Sequence, residues 1–205
     1  MSRALRELVE AVVLALFVFL VIQTSVRNFK VDGSSMHPTL EGGHYLMVNK
    51  LVYFQLDAER LSRIVPFWKV EKSSSRFAVH PPKRGEVIVF YFDAKKDFVK
   101  RVIGLPGEQV EVRQGTVYIN DIPLIEPYID RAGSGEFCKG DFCALELAEK
   151  EYYVLGDNRS SSNDSRAWGP VREDQVVGKV WFVYWPFSGL QLLNNFSGAA
   201  HGLLR

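Results

Sequence analysis

Residues 86–92 read Glu86-Val87-Ile88-Val89-Phe90-Tyr91-Phe92, a short and continuous run of β-branched and aromatic side chains. A run of this kind is typical of a buried β-strand. Asp97–Ile103 predicts a second strand. After it, Leu105-Pro106-Gly107-Glu108 places Pro and Gly as a type II turn requires. This part of the chain therefore predicts a β-rich domain.

Further strands are predicted on both sides of this pair. Gln109–Arg113 and Thr116–Asn120 alternate in polarity around Gln114-Gly115, which is a hairpin signal. The remaining strand-like stretches are Tyr45–Tyr53, Tyr152–Leu155 and Val176–Phe187. Helical periodicity is convincing only near the N-terminus. The sequence therefore predicts a mainly antiparallel β fold behind an N-terminal helix.

The composition excludes several classes of function. With 205 residues, a formal net charge of +1 and 47% hydrophobic content, the chain fits either one domain or one domain with appendages. Its near-neutral charge offers no electrostatic basis for binding nucleic acid. Two cysteines and four scattered histidines predict no metal site, and neither a P-loop nor a G-x-G-x-x-G motif is present. Hydrolysis without a cofactor remains compatible with these features.

The N-terminus carries an apolar run. Leu8–Ile22 is apolar except for Glu10, and extending it towards Val26 reaches about the 20 residues that span a bilayer. A cleaved signal peptide would require small residues in an A-x-A-like pattern after the run, and no pair of positions there has two very small members. The sequence therefore favours an uncleaved anchor. Arg3 and Arg6 precede the run, and Arg27 and Lys30 follow it. Because basic residues stand on both sides, the positive-inside rule gives almost no indication of the orientation of the run in a membrane.

A serine-containing bend follows the apolar run directly. It reads Val31-Asp32-Gly33-Ser34-Ser35-Met36-His37-Pro38-Thr39-Leu40. Gly33 permits backbone conformations closed to other residues, and Pro38 restricts the far side of the bend. A rigid bend can present a hydroxyl as a nucleophile, but a serine needs a base beside it. A plain serine-rich turn is the alternative.

One candidate base lies in the predicted strand Asp97–Ile103. With a period of two, Lys100 and Arg101 point to opposite faces, and each stands between apolar neighbours. Arginine keeps its proton in proteins, whereas burial lets a lysine lose its proton and act as a general base. A lysine on an edge strand with its stem over apolar atoms is the alternative. His37 lies two residues after Ser35, and in extended chain the two side chains point the same way but stand too far apart for a direct hydrogen bond. No motif surrounds the other histidines, so a Ser-His arrangement is possible but has no support in the sequence.

A third polar cluster comes late in the chain. It reads Gly156-Asp157-Asn158-Arg159-Ser160-Ser161-Ser162-Asn163-Asp164-Ser165-Arg166. Two aspartates and two arginines so close together indicate a loop braced by ion pairs, with serines free to hydrogen-bond a neighbour.

Two further stretches leave alternatives open. Ile64–Trp68 is either an exposed patch that rests on lipid or an ordinary core segment. Cys138 and Cys143 flank a Gly140-Asp141 turn signal, which predicts a small disulfide-closed hairpin in an oxidising compartment. Two reduced cysteines are the alternative.

Together these stretches resemble one family, the type I signal peptidases, which are membrane-bound serine proteases that remove signal peptides. The residues that carry the resemblance are Gly33–Leu40, Arg84–Phe90, Phe98–Glu108, Gly156–Arg159 and Ser162–Arg166. They occur in the family's order over most of the chain beyond the apolar run, which is far more specific than any single motif.

The resemblance implies roles for individual residues. Ser35 is implied as the nucleophile, Lys100 as its general base and Ser162 as the serine that orients the lysine. The implied bracing residues are Asp157, Arg159, Asp164 and Arg166. The positions implied to line pockets for small substrate side chains are Phe29, Val31, Met36, Leu40, Phe98 and Val99.

The resemblance also implies an architecture and a location. It implies an antiparallel β-sheet catalytic core with a smaller inserted β subdomain at about residues 113–150, preceded by one transmembrane helix. Residues 1–27 would be the anchor, and residues 28–205 the peptidase domain on the extracytoplasmic side of the bacterial cytoplasmic membrane. The implied partners are preprotein signal peptides and the lipid bilayer, with no cofactor, metal or nucleic acid.

This chain departs from the family's pattern at three places. Gly33 stands where some members have a serine that helps the oxyanion hole, His44 follows Gly43 where Asp is usual, and Ser160-Ser161 replaces a frequent Asp-Asn. A self-cleaving repressor-type Ser-Lys protease is an alternative that predicts a helix-turn-helix domain. A catalytically idle, membrane-anchored β domain that binds a partner is another.

Overall fold

The computed structural model describes residues 3–53, 55–57, 76–78, 80–93, 96–129, 138 and 140–193. It is mainly antiparallel β-sheet with an N-terminal helix, which confirms the predicted fold class at that level. The stretch Ile64–Trp68 lies outside the described residues.

Among the described residues, the chain forms two helices, fourteen strands and five short 3-10 turns. The helices are α1 (Arg3–Ser25) and α2 (Ser165–Trp168). The strands are β1 (Val26–Lys30), β2 (Tyr45–Asn49), β3 (Gln55–Asp57), β4 (Arg76–Ala78), β5 (Val87–Asp93), β6 (Lys96–Gly104), β7 (Gln109–Arg113), β8 (Thr116–Ile119), β9 (Ile122–Pro123), β10 (Ala144–Glu146), β11 (Glu151–Leu155), β12 (Val171–Arg172), β13 (Val176–Trp185) and β14 (Gln191–Leu192). Short 3-10 turns cover Leu51–Tyr53, Asp141–Cys143, Arg159–Ser161, Glu173–Gln175 and Phe187–Gly189.

The larger sheet has eight strands in the order β1-β2-β13-β5-β6-β11-β12, with β14 also paired to β13. Strand β6 lies between β5 and β11, where Ile88 is opposite Lys100 and Leu155 is opposite Arg101. The edge-strand interpretation of Lys100 is therefore wrong, because β6 has a neighbour on both sides. This central position buries both cations.

The second sheet has four strands in the order β10-β7-β8-β9. Its β7–β8 hairpin turns at Gln114 and Gly115 with φ values of 48° and 77°, the left-handed conformation of a tight two-residue turn. The predicted hairpin is confirmed. Because β7 begins at Gln109, this sheet starts before the predicted subdomain boundary at about residue 113.

Three elements differ from the sequence-based expectation for identifiable reasons. Strand β2 ends at Asn49, whose side chain accepts a hydrogen bond from the Leu51 N–H and starts a 3-10 turn. Strand β13 ends before Pro186, which has no N–H to donate. The short helix α2 was missed, and the Asp164 side chain caps its N-terminus.

The predicted bridge between Cys138 and Cys143 is confirmed, since the structure joins the two residues in a disulfide with Cα atoms 5.6 Å apart. Beside it, Phe142 packs against Gly169 at the end of α2. The small disulfide-closed turn thus rests on the segment that follows the 156–166 loop.

The large apolar side chains of α1 from Leu8 to Ile22 are exposed. By length and hydropathy together, none of the helices among the described residues qualifies as a membrane-crossing segment.

Candidate active site

Three segments that are far apart in the sequence meet at one place. They are the loop between β1 and β2, the second half of β6, and the loop that follows β11 at Gly156. Because Leu155 is paired with Arg101, the chain leaves β11 directly beside the two cations of β6. The register of the sheet thus positions the site.

Ser35 and Lys100 are in direct contact. Lys100 Nζ donates a hydrogen bond to Ser35 Oγ at 2.7 Å and another to the Val99 carbonyl at 3.1 Å. Only 4% of Lys100 is exposed. Burial, the largest effect, lowers the pKa of Lys100 to about 8, against the opposing charges of Asp164 and Asp157. At about pH 8, half of this lysine is therefore neutral and able to take a proton from the hydroxyl, and the neutral fraction falls about tenfold per pH unit below that.

The neighbouring cation has a different partner. Arg101 Nε and Nη2 donate to the two carboxylate oxygens of Asp157 at 2.8 and 2.6 Å, and Nη1 donates to the Gly85 carbonyl at 2.8 Å. The Thr39 hydroxyl also donates to Asp157. The pair is buried, so Asp157 ties β6 to the loop that contains Ser35.

The 156–166 loop also holds the backbone of the serine bend. The Asn158 N–H donates to the Ser35 carbonyl at 3.0 Å, and Asn158 Nδ2 donates to the Ser34 carbonyl at 3.1 Å. A Cβ atom at Gly156 would lie 2.4 Å from the Ser35 carbonyl oxygen. A glycine is therefore required where the two loops approach.

Ser162 lies at the same junction but is not bonded to Lys100. Its hydroxyl is buried without a hydrogen-bond partner among the described residues, and a Cβ atom at Gly156 would lie 2.2 Å from it. The structure places Ser162 beside the nucleophile loop, while the predicted orienting contact with the lysine is not made.

The remaining bracing candidates form two buried ion pairs. Asp164 accepts from Arg166 Nε and Nη2, both at 2.8 Å, and from the Gly156 N–H at 3.0 Å. Arg159 donates from both terminal nitrogens to Glu126.

Tyr128 also donates to Glu126, at 2.8 Å, and its ring stacks on Arg101 with 4.1 Å between the guanidinium carbon and the ring centre. Sequence reasoning missed Glu126 and Tyr128, although a carboxylate in the apolar stretch 123–128 is a signal of the same kind as Lys100 in β6.

The six predicted pocket positions do not form one group. Val31, Met36 and Leu40 are buried in one apolar cluster, with Phe29 and Val99 partly buried against it. Phe98 belongs to a different cluster. There it stacks on Phe92 with ring centres 4.6 Å apart, while its ring centre lies 5.4 Å from Lys100 Nζ. Five of the six positions thus come together in one apolar cluster, to which the serine bend contributes Val31, Met36 and Leu40.

Neither nearby histidine contacts Ser35. His37 is exposed and faces Glu41 at 3.9 Å. His44 Nδ1 accepts from the Glu41 N–H at 3.3 Å and so closes the turn before β2. An aspartate at this position can accept the same hydrogen bond, which gives a physical account of the His44 departure.

Comparisons with known proteins identify the family of this chain. A family model described as "Signal peptidase, peptidase S26" matches residues 5–185. A Signal peptidase I from Bacillus caldolyticus is 39% identical over 184 residues, covering 85% of this chain and 84% of that protein. A Signal peptidase IB from Staphylococcus aureus strain Mu50 is 33% identical, covering 96% of this chain and 97% of that protein.

One solved structure is also similar in sequence. It is the crystal structure of a signal peptidase I from Enterococcus faecalis V583, which is 34% identical, has a TM-score of 0.41, and covers 48% of this chain and 96% of that chain. From the family match and the two relatives, the chain belongs to the signal peptidases of peptidase family S26, the serine peptidases that cleave signal peptides.

Proposed function

We propose that this chain cleaves the signal peptides of exported preproteins after a small residue, with Ser35 as nucleophile and Lys100 as general base. The single observation that carries the proposal is the 2.7 Å contact between Ser35 Oγ and the nitrogen of a buried lysine with a pKa of about 8. Burial weakens the lysine's hold on its proton, and the contact brings that nitrogen within reach of the hydroxyl proton.

The reaction then runs in two halves. Neutral Lys100 takes the Ser35 proton while Oγ attacks the carbonyl carbon of the scissile bond. The protonated lysine next gives its proton to the leaving amine, and an acyl-enzyme on Ser35 remains. Lys100, neutral again, takes a proton from water as the water oxygen attacks the ester carbonyl. It then returns that proton to Ser35 Oγ as the bond to the acyl group breaks, which releases the product and regenerates the enzyme. No cofactor or metal ion is needed for these steps.

The backbone N–H of Ser35 is the proposed donor to the oxyanion. Within the described residues, no group accepts a hydrogen bond from it. A preorganised donor of this kind stabilises the charge that develops on the carbonyl oxygen. Because Gly33 has no hydroxyl to add, the backbone carries this role.

The other site residues are proposed in supporting roles. Ser162, whose buried hydroxyl lies at the junction of the two loops, is proposed to orient Lys100, and the ion-paired residues keep the 156–166 loop against the nucleophile. These ion-paired residues are Asp157, Arg159, Asp164 and Arg166. Substrate side chains are proposed to meet Phe29, Val31, Met36, Leu40, Phe98 and Val99.

Mutation of the dyad in the full chain, solubilised in detergent and incubated with a preprotein, tests the proposal. Ser35→Ala and Lys100→Arg are expected to abolish cleavage, because neither variant contains both a nucleophile and a base. His37→Ala is the matched control and should keep most of the activity, since His37 does not contact Ser35. A catalytically idle binding domain would instead leave Ser35 unreactive towards an acylating inhibitor.

We also propose that α1 attaches the chain to a bacterial cytoplasmic membrane in a single pass, with the β domain (28–205) on the extracytoplasmic side. The exposed apolar side chains along Leu8–Ile22 support attachment to lipid. The Cys138–Cys143 disulfide supports an oxidising location for the β domain. Further exposed apolar side chains near the end of β13 and at β14 could rest on the same bilayer; they are Trp181, Trp185, Phe187, Leu190 and Leu192.

Membrane fractionation tests this attachment. The full chain should resist extraction from vesicles at alkaline pH, while a chain that begins at Val26 should be released more readily and still cleave preprotein in detergent. Protease added outside spheroplasts should digest the β domain. Protection of that domain would contradict the proposed side.

A further inference from the structure

A single residue holds both peptide groups that flank the proposed nucleophile. The Ser34 carbonyl accepts from Asn158 Nδ2 at 3.1 Å, and the Ser35 carbonyl accepts from the Asn158 N–H at 3.0 Å. The first of these contacts depends on the asparagine side chain, whereas the second is a backbone contact that any residue can make. The two contacts can therefore be separated by mutation.

The Ser34 carbonyl and the Ser35 N–H belong to the same peptide group. That group is planar, so the direction of its carbonyl fixes the direction of its N–H. The His37 N–H also donates to the Ser34 carbonyl, at 3.1 Å, which closes the turn from within the loop. Asn158 adds a second donor from outside the loop. Two donors on one carbonyl restrict rotation of the group and polarise it, which makes its N–H a stronger donor.

The orientation of the Asn158 amide is itself fixed. Ser160 Oγ donates to Asn158 Oδ1 at 2.9 Å, which leaves Nδ2 pointing at the Ser34 carbonyl. Asn158 follows Asp157, whose buried pair with Arg101 anchors the start of the loop. The amide is thus held from both sides before substrate arrives.

We propose that the Asn158 side chain is a positioning residue for the oxyanion hole, acting through the Ser34–Ser35 peptide group to aim the Ser35 N–H at the developing oxyanion. The proposal rests on the assignment of Ser35 as nucleophile made above. In this positioning role, Asn158 does not contact the reacting atoms. Its effect should appear in the transition state and not in substrate binding.

The test compares Asn158→Ala and Asn158→Asp with wild type, using the full chain in detergent and a peptide substrate. Removing a direct oxyanion donor costs about 10²–10³ in rate, so losing its alignment should lower kcat by a smaller factor, about tenfold, with KM little changed. Asn158→Asp keeps the size of the side chain but places a carboxylate oxygen against the Ser34 carbonyl. Its kcat should fall at least as far as that of Asn158→Ala.

Two further measurements separate positioning from a structural role. A peptide aldehyde forms a tetrahedral adduct with Ser35, so its affinity should weaken by about the factor lost in kcat. The pH midpoint of the activity should not move in Asn158→Ala, because Asn158 does not contact Lys100.

Gln191→Ala is the matched control. Gln191 Nε2 donates to the Thr39 carbonyl at 2.7 Å, an amide–carbonyl contact on the same loop that does not involve the Ser35 N–H. This variant should keep the kcat and the aldehyde affinity of wild type.

The outcomes separate the Ser35–Lys100 dyad from the positioning role of Asn158. A cleaving Ser35→Ala chain would overturn the dyad itself. An inactive Ser35→Ala chain together with an Asn158→Ala chain of unchanged kcat would overturn only the positioning role. A fall in kcat accompanied by an equal rise in KM, a shifted pH midpoint or the loss of a cooperative unfolding transition would also overturn it, because those changes indicate general disruption of the loop.

Discussion

Arg101 and Asp157 form a bidentate ion pair at 2.8 and 2.6 Å, with side chains only 3% and 1% exposed. The pair lies one residue from Lys100, which has no carboxylate within hydrogen-bonding distance among the described residues. Adjacent residues of one strand thus hold a permanently charged arginine and a lysine that is free to lose its proton. The carboxylate neutralises the arginine, so the site carries less positive charge towards Lys100.

Removing one member of this pair should strongly destabilise the fold. Arg101→Met leaves the Asp157 carboxylate buried without its cation, and such changes cost about 3–5 kcal/mol. We expect a corresponding drop in the free energy of unfolding, measured by denaturant titration of the full chain in detergent.

The exposed pair between Arg172 and Asp174 is the control for this experiment. Arg172→Met should leave the denaturation midpoint unchanged, because solvent already screens that pair. Equal midpoints for the Arg101→Met and Arg172→Met chains would show that burial of the Arg101 pair has no energetic consequence.

The sequence predicted the strand and, because arginine keeps its proton, Lys100 as the candidate base. The residue pattern alone did not predict which side chains the two cations contact. The alternation in Asp97–Ile103 placed Lys100 and Arg101 between apolar neighbours, and both are buried. Their partners come from segments about sixty residues away in opposite directions. No local pattern can specify which of them meets Ser35 and which meets Asp157.

The activity should depend on pH through Lys100. Its pKa is lowered to about 8, chiefly by burial. The lysine loses its proton as pH rises, so kcat/KM should rise about tenfold per pH unit below 8 and level off above it. A substrate without groups that titrate between pH 6 and 10 would report this directly. A profile that is flat or that falls across this range would contradict a lysine base.

Asp164→Asn provides a second arm of the pH experiment. The Asp164 carboxylate raises the pKa of Lys100, so its removal should move the midpoint of the profile to lower pH. The shift is measured only on protein whose unfolding transition is still cooperative, because Asp164 also pairs with Arg166. A midpoint that moves to higher pH would show that Lys100 is not the group that titrates.

Gly156 should be intolerant of a side chain. In Gly156→Ala the new methyl group would lie 2.4 Å from the Ser35 carbonyl oxygen and 2.2 Å from the Ser162 hydroxyl, so the two loops must separate. Small displacements at a reacting centre can cost about 10² in rate, and we expect at least that loss in kcat.

Gly189→Ala is the control for the steric argument, since its methyl group would meet only the His44 side chain, at 3.2 Å. This variant should retain most of the activity in the same assay. A Gly156→Ala chain that cleaves as fast as the Gly189→Ala chain would mean that the contact between the loops does not position Ser35.

Loop-to-loop contacts mark the limit of the sequence-based prediction. The motif around Asp157 indicated a braced loop, and the ion pair of Asp164 with Arg166 lies within that loop. The partners of the other two residues, Arg101 for Asp157 and Glu126 for Arg159, come from other elements. Such pairs become visible only when the sheet register and the fold of the intervening segments are known.

The last prediction concerns the two residues before Ser35. Ser34 is exposed, and its hydroxyl makes no hydrogen bond among the described residues, so we assign it no part in the oxyanion hole. Ser34→Ala should change kcat by less than about tenfold, well below the loss of an oxyanion donor. A hundredfold fall in kcat, with folding intact, would show that the Ser34 hydroxyl faces the substrate.

Gly33 is the second residue before Ser35, and a side chain at this position would strain the backbone. Its φ of +94° lies in the left-handed region, where a residue with a side chain is strained by about 1–2 kcal/mol, although a Cβ atom there would meet no neighbour within 4 Å. Gly33→Ser therefore adds a hydroxyl to the bend but strains the backbone that presents Ser35. Because open space accommodates the side chain itself, we expect a folded protein with a modestly lowered melting temperature. If the added hydroxyl reaches the oxyanion, kcat of Gly33→Ser should rise despite this strain. Gly33→Ala is the control, because it has the same backbone strain without a hydroxyl, and its kcat should not rise. Equal kcat values for the two variants would show that a serine at position 33 does not reach the oxyanion in this backbone conformation.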